Sequence, residues 1–144
     1  MPAEPIPDEH HVARHCQPTS IREDGTPGPG AFICDDADGI SCNWLEYFSS
    51  ERAQQVSEVR AALAAQRKIR RSHKLAILNV GVARRGAFER LGQQIAIVKD
   101  PRIAEDGKQA DPSHALVEQV AEAVRVALGE ALAACVQEVG PATE

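Results

Sequence analysis

A stripe of apolar residues near the C-terminus constrains the fold more than any other feature. It follows steps of three and four, the spacing of one helix face, over Val117, Val120, Val124, Leu128, Ala131, Cys135 and Val139. Asp111 suits an N-cap, Pro112 suits the first helical position, and Gly140-Pro141 is typical of a helix end. The pattern predicts a C-terminal helix about 40 Å long.

That length bears on function, because a helix of this size extends beyond what a small sheet can cover. We therefore expect the C-terminal helix to pack on another protein or on a second copy of the chain. Gly129 inside the stripe weakens a helix by about 1 kcal/mol relative to alanine, so it marks a bend or a close helix contact.

A β-hairpin is predicted in the segment that holds four of the five aromatic residues. Ala31–Cys34 is a short apolar run, residues 35–39 form an acidic turn ending in glycine, and Ile40–Trp44 alternates apolar and polar residues. The side chains expected to face the core are Ile40, Cys42 and Trp44.

The middle of the chain predicts one helix followed by two strands. Ser49 or Ser50 is a plausible N-cap, and the Ala-rich segment that follows should be helical to about Arg70. Its apolar face would consist of Ala53, Val56, Val59 and Leu63. Lys74–Val82 has the aliphatic, β-branched content of a buried central strand, and Gln94–Lys99 predicts another.

These elements give the order ββαββα, which predicts an α+β two-layer sandwich. Its helices would lie on one face of a mostly antiparallel sheet. Residues 10–144 would form the domain, in which 10–16 fit a strand or a helical turn equally well. Residues 1–9, with three prolines, predict a flexible or loosely docked tail.

Composition excludes several classes of protein. With 144 residues, 43% hydrophobic and 26% charged, the chain can form a core, so disorder throughout is excluded. A net charge of −5 and 3% aromatic residues disfavour a protein that wraps nucleic acid. We expect a cytoplasmic protein without a membrane partner, because the start of the chain resembles no secretory signal and no apolar run could span a membrane. Its cysteines should then stay reduced.

Histidine and cysteine residues suggest a metal site as one candidate. Imidazole nitrogen and thiolate sulfur are good zinc ligands, and the set in question is His11, His15, Cys34 and Cys42. The alternative is that both cysteines are ordinary small core residues. The spacing matches no established zinc motif, so we expect no cofactor and keep zinc as the alternative.

Two further candidates are catalytic. Cys16 beside His15 could be an activated thiol, although adjacent residues of a strand point to opposite faces. His114, close to a predicted helix N-terminus, could serve as an acid or base at neutral pH. The alternatives are a packed thiol at Cys16 and plain helix capping at Asp111.

A basic run could bind phosphate. Five of the eight residues 67–74 are Arg or Lys, and the return of the chain could bring a second basic pair close to them. The candidate phosphate-binding residues are Arg67, Arg70, Arg71, Arg84 and Arg85. The alternative is a solvated helix terminus, since no aromatic residue interleaves the run.

Three functions remain open at this point. The first is a non-enzymatic module that binds another protein, or itself, through the C-terminal helix. The second is a hydrolase or nuclease that uses histidine or cysteine, with or without metal, on a phosphate-containing substrate. The third is an RNA-binding accessory protein that uses residues 67–74, although the net charge disfavours it.

Overall fold

One antiparallel sheet forms the centre of the protein. A computed structural model describes residues 3–33, 39–105 and 107–143. Within these ranges six strands lie in the order β4-β5-β2-β1-β3-β6. The strands are β1 His11–Cys16, β2 Gly39–Trp44, β3 Lys74–Asn79, β4 Ile97–Lys99, β5 His114–Glu118 and β6 Glu138–Pro141. The helices are α1 Arg52–Gln66, α2 Val80–Leu91 and α3 Arg125–Ala134. The α+β class and the antiparallel sheet are therefore confirmed.

Helices cover both faces of the sheet, so the predicted two-layer arrangement is wrong. Val59 and Leu63 of α1 pack on one face, where they join a cluster with Ala13, Leu75 and Ile77. The alternate residues of the same strands form a larger cluster with α2 and α3 on the other face. Four consecutive residues of β3 are buried, and a strand buried on both sides needs cover on both sides.

The C-terminal helix is short, which corrects the clearest sequence-based prediction. Residues 114–118 form β5, a strand paired with both β2 and β4. α3 spans ten residues, or thirteen with the 3-10 turn Glu122–Val124 before it. Gly140 and Pro141 belong to β6, which pairs with β3. Leu128 and Leu132 of α3 are buried in the core, so the helix does not extend beyond the sheet.

The second arm of the predicted hairpin is correct and the first is not. β2 is a strand with Ile40 and Cys42 buried and Trp44 half-buried against the same core. Pro29–Phe32 forms a 3-10 turn where the first arm was expected, and Cys34 lies outside the described residues. The partners of β2 are β1 and β5. Residues 10–16, left open between strand and helical turn, supply β1.

α1 is shorter than predicted, because it ends at Gln66. Its N-cap position is Glu51, whose backbone N–H donates to Oγ of Ser49 at 3.1 Å. Val59 and Leu63 are buried as expected, whereas Ala53 is exposed. The basic residues that follow Gln66 therefore lie in the turn between α1 and β3.

α2 replaces the end of the long strand predicted over residues 74–82. Asn79 stops β3, because its side-chain oxygen accepts the backbone N–H of Val82 at 2.9 Å and so caps the new helix. The helix ends at Gly92, whose φ of +74° favours glycine. A twelve-residue helix thus separates β3 from β4.

The N-terminal segment lies along the outer edge of the sheet. Ile6 is buried, and its N–H donates to the carbonyl of Ile97 at 3.0 Å. Pro5 forms an isolated bridge with Val98, and Asp8 pairs with Arg84 at 2.8 Å. These contacts dock residues 4–8 against β4 and α2, while flexibility over residues 1–9 stays a prediction about motion. In the described part of the chain no helix is long and apolar enough to cross a membrane.

Candidate active site

Buried polar side chains gather on the α1 face of the sheet, where β5 begins. Asn43 of β2 lies opposite His114 of β5 in the strand register. Asp111 and Ser113 immediately precede β5. All four residues are buried, and alternation along the strands places Asn43 and His114 on the same face as Ala13.

A hydrogen-bond network fixes the inner side of this region. Nδ2 of Asn43 donates to Oδ1 of Asp111 at 3.1 Å and to Oγ of Ser113 at 2.8 Å. The hydroxyl of Ser113 donates in turn to Oδ1 of Asp111 at 3.1 Å. Asp111 is therefore a buried acceptor and not the predicted helix cap. Ser113 is fully buried with its hydroxyl committed to this carboxylate, which makes it a structural group.

His114 is hydrogen-bonded to Asp100 in this region. Nδ1 of His114 lies 3.0 Å from Oδ2 of Asp100 and 3.2 Å from the carbonyl oxygen of the same residue. Both partners are acceptors, so Nδ1 carries the proton. In the neutral ring Nε2 then has a free lone pair and accepts a proton. This is the carboxylate–histidine arrangement that orients a general base.

Nε2 of His114 is open to the cleft. The ring makes no hydrogen bond through this atom within the described part of the chain. Every fully enclosed side-chain nitrogen or oxygen among the described residues has a hydrogen-bond partner. An unpartnered Nε2 must therefore be in contact with solvent, although the side chain as a whole is only 10% exposed.

Arg102 holds Asp100 from the other side. Its Nη2 and Nε lie 2.8 Å and 2.9 Å from the same carboxylate oxygen that faces His114. Paired backbone hydrogen bonds between Arg102 and Asp111 tie this loop to the start of β5. The carboxylate thus has a fixed position beside a cation.

The region opens into a polar cleft, defined as two adjoining cavities of about 40 Å³ and 290 Å³. Both are lined by Ser41, Gln66, Arg67, Asp111 and His114. Nε2 of Gln66 donates to the carbonyl of Gln109 at 2.7 Å and so connects α1 to the loop after β4. Helix, loop and sheet together therefore enclose the cleft.

Two cations at the cleft have no partner among the described residues. The exposed guanidinium of Arg67, just after α1, makes no hydrogen bond or ion pair within the described residues. The ammonium group of Lys108 is also unpaired there. Glu105 is an acidic residue of the outer cavity. An anion is therefore best placed near Arg67, where its charge meets a cation that no carboxylate of the described residues neutralises.

The predicted catalytic residues divide between the two faces of the sheet. His15 lines the inner cavity, with Nε2 2.8 Å from Nδ1 of His73. Cys16 points to the opposite face and is 1% exposed. Desolvation by burial raises the pKa of its thiol to about 11, partly offset by the nearby charge of Arg14. Cys16 is therefore a protonated core thiol at neutral pH, whereas His15 and His114 share one cleft.

The proposed zinc ligands are not assembled in the described structure. His11 pairs with Glu46 at 2.7 Å on the α1 face, and His15 lies on the same face. Cys42 is buried on the opposite face, and Cys34 lies outside the described residues. Among residues 3–33, 39–105 and 107–143, no three His, Cys, Asp or Glu side chains are placed to hold a metal ion.

Of the predicted phosphate-binding residues, only Arg67 lines the cleft. Arg70 and Arg71 are exposed in the turn before β3. Arg84 lies in α2, across the sheet from the cleft, and its guanidinium binds Asp8. The neighbouring Arg85 is exposed. The two basic segments therefore do not converge, because the sheet separates α1 from α2.

Sequence reasoning missed Asp100 and Asn43. Asp100 directly follows β4, and its backbone N–H donates to the carbonyl of His114 at 2.8 Å. A carboxylate at a strand end is a usable signal only once the antiparallel partner of that strand is known. The apolar stripe predicts a helix over residues 114–118, so the pairing that brings Asp100 to His114 does not follow from the sequence.

Comparison of the chain with protein-family models, with curated proteins and with solved structures gave no match. The geometry of the polar cleft is therefore what carries information about function.

Proposed function

We propose that this protein is a hydrolase of phosphate esters, with the polar cleft as its active site. The observation that carries the proposal is the His114–Asp100 pair, whose Nε2 is open to a cleft that also contains the unpaired cation of Arg67. A proton acceptor beside an anion-binding group is what ester hydrolysis of a phosphate requires.

His114 acts as the general base in this reaction. Nε2 takes a proton from a water molecule while the water oxygen attacks phosphorus. The bond between phosphorus and the ester oxygen breaks, and the leaving oxygen gains a proton from the imidazolium or from solvent. Asp100 is a positioning residue, because it holds the Nδ1–H tautomer and stabilises the charge that His114 acquires.

Arg67 and Lys108 bind the phosphate group. Guanidinium and ammonium groups form short, charge-assisted hydrogen bonds with phosphate oxygens. The fixed carboxylate of Asp111 is held by Asn43 and Ser113 at the inner wall. A phosphate therefore binds at the outer side of the cleft, near the end of α1, with its ester bond towards His114.

A role in protein interaction has less support than it had from the sequence. That hypothesis depended on a C-terminal helix longer than the sheet, and α3 is short and packed in the core. The RNA-binding hypothesis depended on the whole basic run, of which Arg67 alone lines the cleft. The cleft makes hydrolysis the leading proposal.

The test is hydrolysis of p-nitrophenyl phosphate and bis(p-nitrophenyl) phosphate. We expect turnover of at least one of these esters, and a loss of kcat of about 10²–10⁴-fold in His114→Asn, the usual range for removing a general base. His11→Asn is the matched control, because His11 also pairs with a carboxylate but lies outside the cleft. It should keep the wild-type rate.

The variant Asp100→Asn tests whether Asp100 positions His114 or instead binds the substrate. We expect a lower kcat at nearly unchanged KM, with a changed pH profile, because an amide does not select the Nδ1–H tautomer of His114. Arg67→Ala should instead raise KM. If the wild type hydrolyses neither ester, or if His114→Asn keeps the full rate, the proposed function is wrong.

A further inference from the structure

A second cavity lies on the other side of the sheet from the polar cleft. Its volume is about 420 Å³, and it opens between the 3-10 turn Pro29–Phe32 and α3. Its inner wall is apolar and includes Phe32, Ile40, Val120 and Leu128. Ile33 and Val126, which are 62% and 74% exposed, lie at its mouth.

The residues that form the inner wall of this apolar cavity are packed tightly against the core. Ile40 and Leu128 are each 3% exposed. Gly129 brings α3 close to the turn, since a Cβ on this residue would lie 2.9 Å from the carbonyl oxygen of Pro29. These contacts therefore hold the wall in position, so that it does not collapse into the cavity.

A volume of this size is not an ordinary packing defect. Protein interiors contain few voids larger than a water molecule, whereas small-molecule sites measure roughly 300–1,000 Å³. An apolar wall offers water few hydrogen-bond partners, so water fills such a space poorly and apolar molecules fill it well. The size and the lining together point to a ligand.

We propose that the apolar cavity binds a small, uncharged and mainly apolar molecule, such as a substituted aromatic compound. The polar residues of the lining include Glu118 and Arg125, which carry opposite charges. Among the described lining residues, a charged ligand therefore finds no net opposite charge. The side chains of Ile33 and Val126 continue the apolar path from solvent to the inner wall.

The exposed apolar surface is too small to favour a protein as the occupant. A stable protein interface buries roughly 800 Å² on each partner. Among the large apolar side chains that are exposed in the described chain, only Ile33 and Val126 lie at this cavity. The cavity, and not a broad exposed surface, is therefore the feature that a ligand would contact.

The test is a fluorescence titration of the full chain with 1-N-phenylnaphthylamine, a neutral apolar probe. We expect saturable binding at one site per chain. Gly30→Phe should weaken it at least tenfold, because Gly30 lines the cavity, has an ordinary φ and has no atom within 4 Å of an added Cβ. Gly140→Phe makes the same change at an open position on β6 and should bind the probe like the wild type.

A second variant covers the case in which Gly30→Phe does not fold. Val126→Glu places a charge at the exposed mouth and should also weaken probe binding. Absence of saturable binding in the wild type, or wild-type affinity in a folded Gly30→Phe, overturns the proposal. Light scattering that shows a dimer at the titration concentration, converted to a monomer by Gly30→Phe, also overturns it in favour of a second copy. His114→Asn should bind the probe normally, so failure of the hydrolase proposal is distinguishable.

Discussion

At the scale of single residues, burial decides which of the candidate groups can react. His114 keeps one ring nitrogen in contact with the cleft, while its other nitrogen is held by Asp100. Cys16, although next to His15 in sequence, lies on the opposite face and is enclosed by the core. His114, which the sequence suggested as an acid or base, is thus in contact with the cleft, whereas Cys16, which it suggested as an activated thiol, is enclosed in the core.

The burial of Cys16 predicts a loss of stability at high pH. The pKa of its thiol is raised from 9.0 to about 11 in the folded protein, so between these values the unfolded chain releases a proton that the folded chain retains. The free energy of unfolding therefore falls as the pH rises through this window. Relative to Cys16→Val, the wild type should lose about 2 kcal/mol between about pH 8 and about pH 10.5.

Urea unfolding of both proteins at the two pH values measures this difference. Cys16→Val serves as the control, because lysine and tyrosine residues contribute equally to the pH dependence of the unfolding free energy in both proteins. A parallel decrease in the two proteins would show that the thiol titrates normally in the folded state.

At the scale of elements, close backbone contacts fix how strands and helices meet. Gly39 begins β2 with a φ of +150°, a value that favours glycine, and lies directly against the backbone of β5 at Val117. Gly129 plays the same role between α3 and the turn at Pro29. Both glycines permit an approach that any side chain would prevent.

Gly39→Ala should therefore be strongly destabilising. Its new Cβ would overlap the carbonyl oxygen of Val117, and the backbone conformation is strained for alanine. We expect a loss of at least about 3 kcal/mol of unfolding free energy, measured by urea denaturation. Gly140→Ala is the matched control, because Gly140 also lies in a strand but has open space around its Cβ position. Equal effects of the two substitutions would contradict the close contact between β2 and β5.

At the scale of the whole molecule, the sheet separates two cavities that lie on its opposite faces. The polar cleft lies between α1, the sheet and the loop after β4, whereas the apolar cavity lies on the side of α3. The N-terminal segment contributes to the second side, because Ile6 belongs to the core cluster shared with α2 and α3. Residues 4–8 are thus part of the packed structure.

Removing that contact should destabilise the whole protein. Ile6→Ala deletes a side chain that is 3% exposed and should cost about 2–5 kcal/mol, the usual range for a buried isoleucine. Ile103→Ala makes the same deletion at a side chain that is 76% exposed and should change stability by less than about 0.5 kcal/mol. Thermal or urea unfolding measures both. If Ile6→Ala is as stable as Ile103→Ala, residues 1–9 form the flexible tail predicted from the sequence.

Local sequence patterns were sufficient for part of the fold. The α+β class, β2, the start of β3 and the burial of Val59 and Leu63 in α1 followed from periodicity and β-branched content, which act over a few residues. His114 was identified as a candidate from a predicted helix N-terminus, and Arg67 from a basic run. Their joint position in one cleft was not, since it depends on contacts between residues far apart in the chain.

What the tertiary structure decided is clearest at residues 114–118. Ala115, Leu116 and Val117 fit a helical stripe, but they also fit a buried strand, and a short apolar run does not distinguish the two. Pairing with β2 and β4 selects the strand, because it buries these side chains and satisfies their backbone groups at once. The same pairing brings Asp100 to His114. The sequence by itself therefore determined which groups are available for chemistry, and the packing of distant strands determined which of them meet.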